Sequence, residues 1–259
     1  MSLTDNWSFL KDFTKARIAL GRNGVSLPTK EILNFSLAHA QARDAVHKPF
    51  DSQALQTQLT PLELTSLTVH SCAKDRNEYL RRPDLGRTLD QDSINLLKNN
   101  IELTPADLII VIGDGLSSFA VDRQAIKVVK ALLPYLKKLN ISLGPIVLAH
   151  QARVALGDKI GSILKAKAIV MLIGERPGLS SADSLGIYMT WHPDDTRTDA
   201  DRNCISNVRP EGLTYDLAAF KLAWLLEHSF VRQLSGVQLK DESDYAALPS
   251  NKPLYIDHS

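Results

Sequence analysis

Glu175 stands where a buried strand should end, in the run Ala168-Ile-Val-Met-Leu-Ile-Gly-Glu-Arg-Pro-Gly-Leu-Ser-Ser-Ala-Asp-Ser-Leu-Gly186. Residues 168–173 are apolar without alternation, the pattern of a strand covered on both faces. Gly174 ends that run, and Pro177-Gly178 turns the chain. Open parallel sheets bind ligands outside the carboxyl ends of their strands. A carboxylate there is placed to accept hydrogen bonds from a ligand. The competing use of Glu175 is structural, as a helix cap or a partner of Arg176 or Arg153. Leu108 to Ile112 repeats the design, running into Gly113-Asp114-Gly115-Leu116-Ser117-Ser118. Two buried strands that each end in Gly-acid make one ligand edge, without naming the ligand.

Other candidates carry less chemistry. The Gly113-Asp-Gly-Leu-Ser-Ser stretch lacks the third glycine of a dinucleotide fingerprint, because Ser118 occupies its place. A tight strand-to-helix turn is the better reading. No Gly-Lys-Ser/Thr phosphate loop and no Gly-x-Ser-x-Gly nucleophile elbow occurs. The histidines, His39, His47, His70, His150, His192, His228 and His258, form no His-Glu-x-x-His pair, so no metal site is expected. His150, after a strand, is the one closest to the ligand edge. Cys204, a lone thiol beside Ile205, reads as a small buried hydrophobe. Val154 has only apolar contact or its backbone at a helix start to offer. Arg76, Arg81, Arg82 and Arg87 fit phosphates or a partner chain's carboxylates as well as a solvated charged face. No residue stands out as catalytic.

The elements that position these residues change character along the chain. Residues 1 to about 100 read as a smaller helical N-terminal domain. Trp7, Leu10 and Phe13 share a helical spacing, and Thr29 opens a helix to about Val46 with Ile32, Leu33, Leu37 and Ala40 as its stripe. Thr60-Pro-Leu-Glu63 has the signature of a helix start. Thr104-Pro-Ala-Asp107 has it too, but leads into a strand-like run. Residues 101–259 alternate as a Rossmann-like α/β domain. Strand Leu108–Ile112 precedes a helix from Val121 to about Leu139, with Pro134 as a kink or restart. Strand Pro145–His150 precedes a helix from Arg153 to about Lys165, where Gly157 and Gly161 permit close packing. Strands at 168–173 and Ile187–Trp191 and a last helix from Tyr215 to about Leu234 complete it. The expected fold is α/β, a doubly wound, mostly parallel sheet. The polar tail from Lys240 is expected to lie over the surface or a partner.

Composition limits the function classes. The 259 residues carry 30 Lys+Arg against 29 Asp+Glu, a formal charge of +1, and 6% aromatics. Neither a nucleic-acid nor a membrane surface is indicated. No apolar run approaches the ~20 residues of a membrane span, and Met1-Ser-Leu-Thr-Asp lacks the basic start and apolar core expected of a signal peptide. Two distant cysteines fit a reducing, cytoplasmic compartment.

These words together resemble the small (light) subunit family of ethanolamine ammonia-lyase over nearly the whole chain. The resemblance rests on Ala16-Arg-Ile-Ala-Leu-Gly-Arg-Asn-Gly, Ser36-Leu-Ala-His-Ala-Gln-Ala-Arg-Asp-Ala-Val, Tyr79-Leu-Arg-Arg-Pro-Asp-Leu-Gly-Arg, Val111-Ile-Gly-Asp-Gly-Leu-Ser-Ser, Gly174-Glu-Arg-Pro-Gly-Leu and Asp201-Arg-Asn-Cys-Ile-Ser-Asn. It implies a carbon–nitrogen lyase that converts ethanolamine to acetaldehyde and ammonia with adenosylcobalamin (coenzyme B12). The chain would be one of two kinds of subunit. The large subunit, a TIM barrel, would carry the substrate site, and this chain would close over the cobalamin at their interface. Carried over by position, the cobalamin contacts fall on Val154, Glu175 and Cys204. The corrin periphery bears amides that donate hydrogen bonds, which suits an acceptor at Glu175. The other cobalamin signature, Asp-x-His-x-x-Gly, does not occur here, so the cofactor is expected to keep its own dimethylbenzimidazole on cobalt. The resemblance also implies a cytoplasmic enzyme, in some settings housed in a bacterial microcompartment. The alternatives are a regulatory module for a nucleotide-like ligand and a purely structural subunit.

Overall fold

A computed structural model of the chain describes residues 7–14, 16–100 and 106–244. Its described part is α/β, with a mixed six-stranded sheet in the order β1-β3-β2-β4-β5-β6. The strands are β1 Ser66–His70, β2 Leu108–Gly113, β3 Ile146–His150, β4 Ala168–Gly174, β5 Leu185–Trp191 and β6 Arg202–Val208. The first four in spatial order pair in parallel, whereas β5 runs antiparallel to β4 and β6 antiparallel to β5. Among the described residues no helix is long and apolar enough to cross a membrane.

The unalternating runs sit where burial demands them. Every residue of β2 and β4 is buried. Odd and even positions feed two separate cores, as a pleated strand requires. Ile110, Ile112, Val170 and Leu172 join a cluster with helices α2 (Ser52–Leu59), α5 (Ser118–Lys138) and α7 (Tyr215–Arg232). Ile109, Val111, Ile169 and Met171 join another with α4 (Gln91–Asn99) and α6 (Leu156–Ile163). The remaining helices are α1 (Thr29–His47) and α3 (Arg76–Arg81).

The structure corrects three expectations. The sheet expected to be mostly parallel is mixed, with β5 and β6 antiparallel: the connections 175–184 and 192–201 hold no α-helix to carry a parallel crossover, so the chain doubles back. Residues before 100 are not all helical, because Ser66-Leu-Thr-Val-His70 pairs along its length with Ile146–His150. Thr60-Pro-Leu is not a helix start. It is a 3-10 turn continuing α2, ended by Glu63 in the left-handed region at φ 58°. Trp7, Leu10 and Phe13 flank or lie in a 3-10 helix, Ser8–Asp12, with Trp7 and Phe13 exposed. The helix from Thr29 forms over nearly its expected span but follows Pro28 without a side-chain cap. Pro134 lies inside an unbroken α5. Of the Thr104-Pro-Ala-Asp pattern, residues 104 and 105 lie outside the described residues, as does the tail beyond 244.

Candidate functional site

The two Gly-acid turns interlock, and that contact builds the site. Gly115 takes φ +57°, and a Cβ on it would collide with Gly174 O. Leu116 N donates to that same carbonyl at 2.9 Å. A Cβ on Gly174 would collide in turn with Ser117 O. Ser117 then caps α5, its hydroxyl accepting from Ala120 N at 3.1 Å. Backbone thus meets backbone between the carboxyl ends of β2 and β4, which glycine alone permits.

The two acids of the pattern have different fates. Asp114 is buried and accepts from Gln151 N at 3.0 Å and Ala152 N at 2.8 Å, tying down the loop after β3. Arg76 Nη1 approaches it at 3.4 Å. Burial pushes the Asp114 carboxyl up to about 6, against the opposing pull of Arg76 and those amides. Asp114 therefore shapes the site without facing a ligand.

Glu175, one residue past β4, faces outward into a cavity of about 410 Å³. Gly115, Arg153, Val154, Tyr188 and Ser206 contribute to its wall. The carboxylate accepts from Ser184 Oγ, from Ser206 Oγ at 2.5 Å and from Asn207 N at 3.3 Å. Among the described residues it makes no ion pair with Arg176 or Arg153, so hydroxyls, not cations, orient it. A carboxylate has about four lone-pair sites. Three contacts leave capacity for one more donor.

Cys204 is not buried in the core. It is exposed on β6, opposite Tyr188 of β5 in the antiparallel register. Alternation puts Cys204 and Ser206 on one face of β6, while Ile205 points into the α7 core. The thiol's own surroundings still desolvate it and push it up. The Tyr188 hydrogen bond opposes that rise, and the Glu175 charge adds to it. Burial raises the Tyr188 phenol as well. Val154 is half-buried, two residues before α6, and borders the Glu175 cavity. Val154 and Glu175 thus share one cavity, with Cys204 beside it through Tyr188.

Sequence reasoning missed Tyr188, Ser184 and Ser206. The alternation of Cys204, Ser206 and Ile205 was the available signal, once 202–208 is recognised as a strand. His150 lies at the end of β3 but turns away from this cavity. It stacks on His70 at 4.4 Å, meets Phe50 edge-on and bonds Ser52 Oγ at 3.0 Å. Arg76 and Arg82 are committed within the chain, Arg76 to Gly115 O at 2.8 Å and Arg82 to Asp84 at 2.6 Å. Among the described residues no cluster of three or more His, Cys, Asp or Glu could hold a metal ion.

The arrangement can accept hydrogen bonds from an amide-bearing ligand. Comparison with known proteins gives the family. The model of the family "Ethanolamine ammonia-lyase light chain (EutC)" matches residues 4–240. The chain is similar to proteins named ethanolamine ammonia-lyase small subunit in several bacteria. It is 53% identical to that of Pseudomonas fluorescens (strain Pf0-1) over 94% of this chain and 90% of the relative. Identity to that of Bradyrhizobium diazoefficiens is 54%, over 90% of each chain. With that of Ralstonia nicotianae it is 50%, over 98% of this chain and 96% of the relative.

Proposed function

From the premise that the chain belongs to the ethanolamine ammonia-lyase light-chain family, we propose that it holds adenosylcobalamin against the large subunit while that subunit binds ethanolamine. The complex is a lyase releasing acetaldehyde and ammonia. When bound, the cofactor supplies the radical chemistry, and the protein supplies binding, orientation and exclusion of water. The observation that carries the reading is the spare acceptor capacity of Glu175 at the carboxyl ends of the parallel strands.

Each residue of this chain then has a stated part. Glu175 accepts from a corrin amide, and Ser184 and Ser206 hold its carboxylate in place. Val154 presents an apolar wall and its backbone at the entry to α6. Cys204 and Tyr188 form the adjoining floor on the exposed face of β5 and β6. A cavity of about 410 Å³ is near the small end of ligand pockets, and a molecule of cobalamin's size overhangs it. The second wall comes from the large subunit, which we read as a TIM barrel carrying the substrate site. The helical segment before β1 faces that partner.

Titrating adenosylcobalamin into the assembled two-subunit enzyme, followed by its visible spectrum, tests the reading. Glu175→Ala is expected to weaken binding by ~1–3 kcal/mol, roughly 5- to 150-fold. Glu175→Gln keeps an acceptor and should cost less. Turnover at saturating cofactor should change little, because the contact is made equally in ground and transition states. Unchanged affinity in Glu175→Ala would return Glu175 to a purely local role.

A further inference from the structure

A second cavity, of about 370 Å³, lies on the other side of Val154 and Arg153, which wall both. Its lining carries Arg87, Arg153, Arg197 and Arg202 with one carboxylate, Asp199. Four arginines border this one small space, and their charges repel one another unless anions answer them. The chain answers only some of them. Arg202 is buried and paired with Asp158 and, at 2.9 Å, with Asp199. Arg197 donates to His192 O at 3.0 Å and approaches Asp194 at 3.4 Å and Asp201 at 3.9 Å. Arg153 lies over the Tyr79 ring at 4.2 Å and donates to Tyr79 O at 3.3 Å. Among the described residues, the Nε groups of Arg153 and Arg202 are buried donors without an acceptor. Arg87 is exposed, and among the described residues its side chain makes no ion pair or hydrogen bond.

Arg87 is nonetheless held in place. It ends the 3-10 turn Leu85–Arg87, whose Gly86 carbonyl accepts from Arg153 N at 2.8 Å. Gly86 packs directly beneath the Arg153 side chain, since a Cβ there would meet Arg153 Cγ at 2.9 Å. The Arg87 turn is therefore fastened to the loop that opens α6. A free planar fork on a fixed backbone suits a phosphate oxygen pair better than a diffuse charge.

We propose that this arginine-lined cavity is an anion subsite for a phosphodiester, the charged group in the nucleotide loop of the cofactor whose amides meet Glu175. The inference rests on the cofactor reading above. The two cavities share the Val154–Arg153 wall, so one extended ligand can place amides on one side and a phosphate on the other.

The test compares cobinamide with cobinamide phosphate, which differ only in the phosphate, by spectral titration of the cofactor-free two-subunit complex. The wild type should prefer the phosphate form, and that preference should shrink as salt rises. Arg87→Gln should erase roughly ten- to a hundredfold of affinity for cobinamide phosphate and leave cobinamide unchanged. Arg87→Lys, keeping charge without the fork, should fall between. Equal affinity of the wild type for both ligands would overturn the subsite while leaving the Glu175 reading intact. Failure of both ligands to bind at all would overturn both readings. Should Arg87→Gln loosen the subunits without changing the phosphate preference, Arg87 meets a carboxylate of the large subunit and the subsite is refuted.

Discussion

At the scale of single residues, burial has divided the acidic and imidazole groups at the sheet's carboxyl edge into opposed titrations. His150 is held down to about 4 by burial and by the stacked His70. Between about pH 6.5 and 4 the unfolded chain takes up a proton there that the folded chain refuses, so acidification costs stability. Asp114 works in the other direction. Its folded value of about 6 exceeds the ordinary 3.8, so the folded chain holds the extra proton and loses stability as pH rises from about 4 to about 6. The two contributions oppose each other over nearly the same window. Removing one exposes the other. In His150→Gln, stability relative to wild type should be greater at pH 4.5 than at pH 7, by about 1–2 kcal/mol. That is less than the full shift implies, because the ring is partly open to solvent screening. Urea denaturation at the two pH values measures it. A stability gap that does not change with pH would show that His150 ionisation plays no part.

At the scale of elements, legibility followed burial. β2 and β4 were readable because strands covered on both faces must be apolar at every position, and Leu108–Ile112 and Ala168–Ile173 are. α5 and α7 were readable because one face of each packs on the sheet. β1 was hidden because Ser66, Leu67 and Thr68 are only half-buried on an edge strand and carry no continuous apolar signal. β6 was hidden for the same reason, since Asn203, Cys204, Ser206 and Asn207 mask Ile205 and Val208. Glu175 could be placed from its strand alone. Tyr188 and Ser206 could not, because their approach to it depends on the antiparallel return of β5 and β6, which nothing local specifies. The glycine turns make the sharpest test at this scale. Gly115→Ala puts a Cβ into Gly174 O at φ +57°, and should cost roughly 2–4 kcal/mol. Gly157→Ala meets nothing nearer than 3.7 Å within α6, and should be neutral or stabilising by up to about 1 kcal/mol. Thermal unfolding of both variants checks the pair. Equal effects would mean that the interlocked turns do not constrain the backbone.

At the scale of the whole molecule, the surface is unfinished. Trp7, Phe9, Phe13, Val25, Leu27, Ile32, Leu33, Phe35 and Leu37 are all exposed and all lie before residue 40. Helix α1 buries only Ala38 and Ala45 of its own side chains. Scattered exposed apolar residues need no explanation, but a concentration in one segment marks a surface that another chain covers. The family supplies the occupant, a large subunit. Leu33 and Leu37, one turn apart on α1, are 64% and 58% exposed, so charging them takes little from the chain's own fold. The double substitution Leu33→Asp, Leu37→Asp should therefore keep the unfolding midpoint of the isolated chain within a few degrees. It should weaken association with the large subunit by at least tenfold, since two apolar contacts worth ~1–2 kcal/mol each would be lost and two charges desolvated. Sedimentation of the mixed subunits measures that association. The isolated wild-type chain should release no acetaldehyde from ethanolamine and adenosylcobalamin, and activity should appear only as the complex forms. Unaltered association of the doubly charged variant would place the partner on another face. Turnover by the small subunit alone would move the chemistry into this chain.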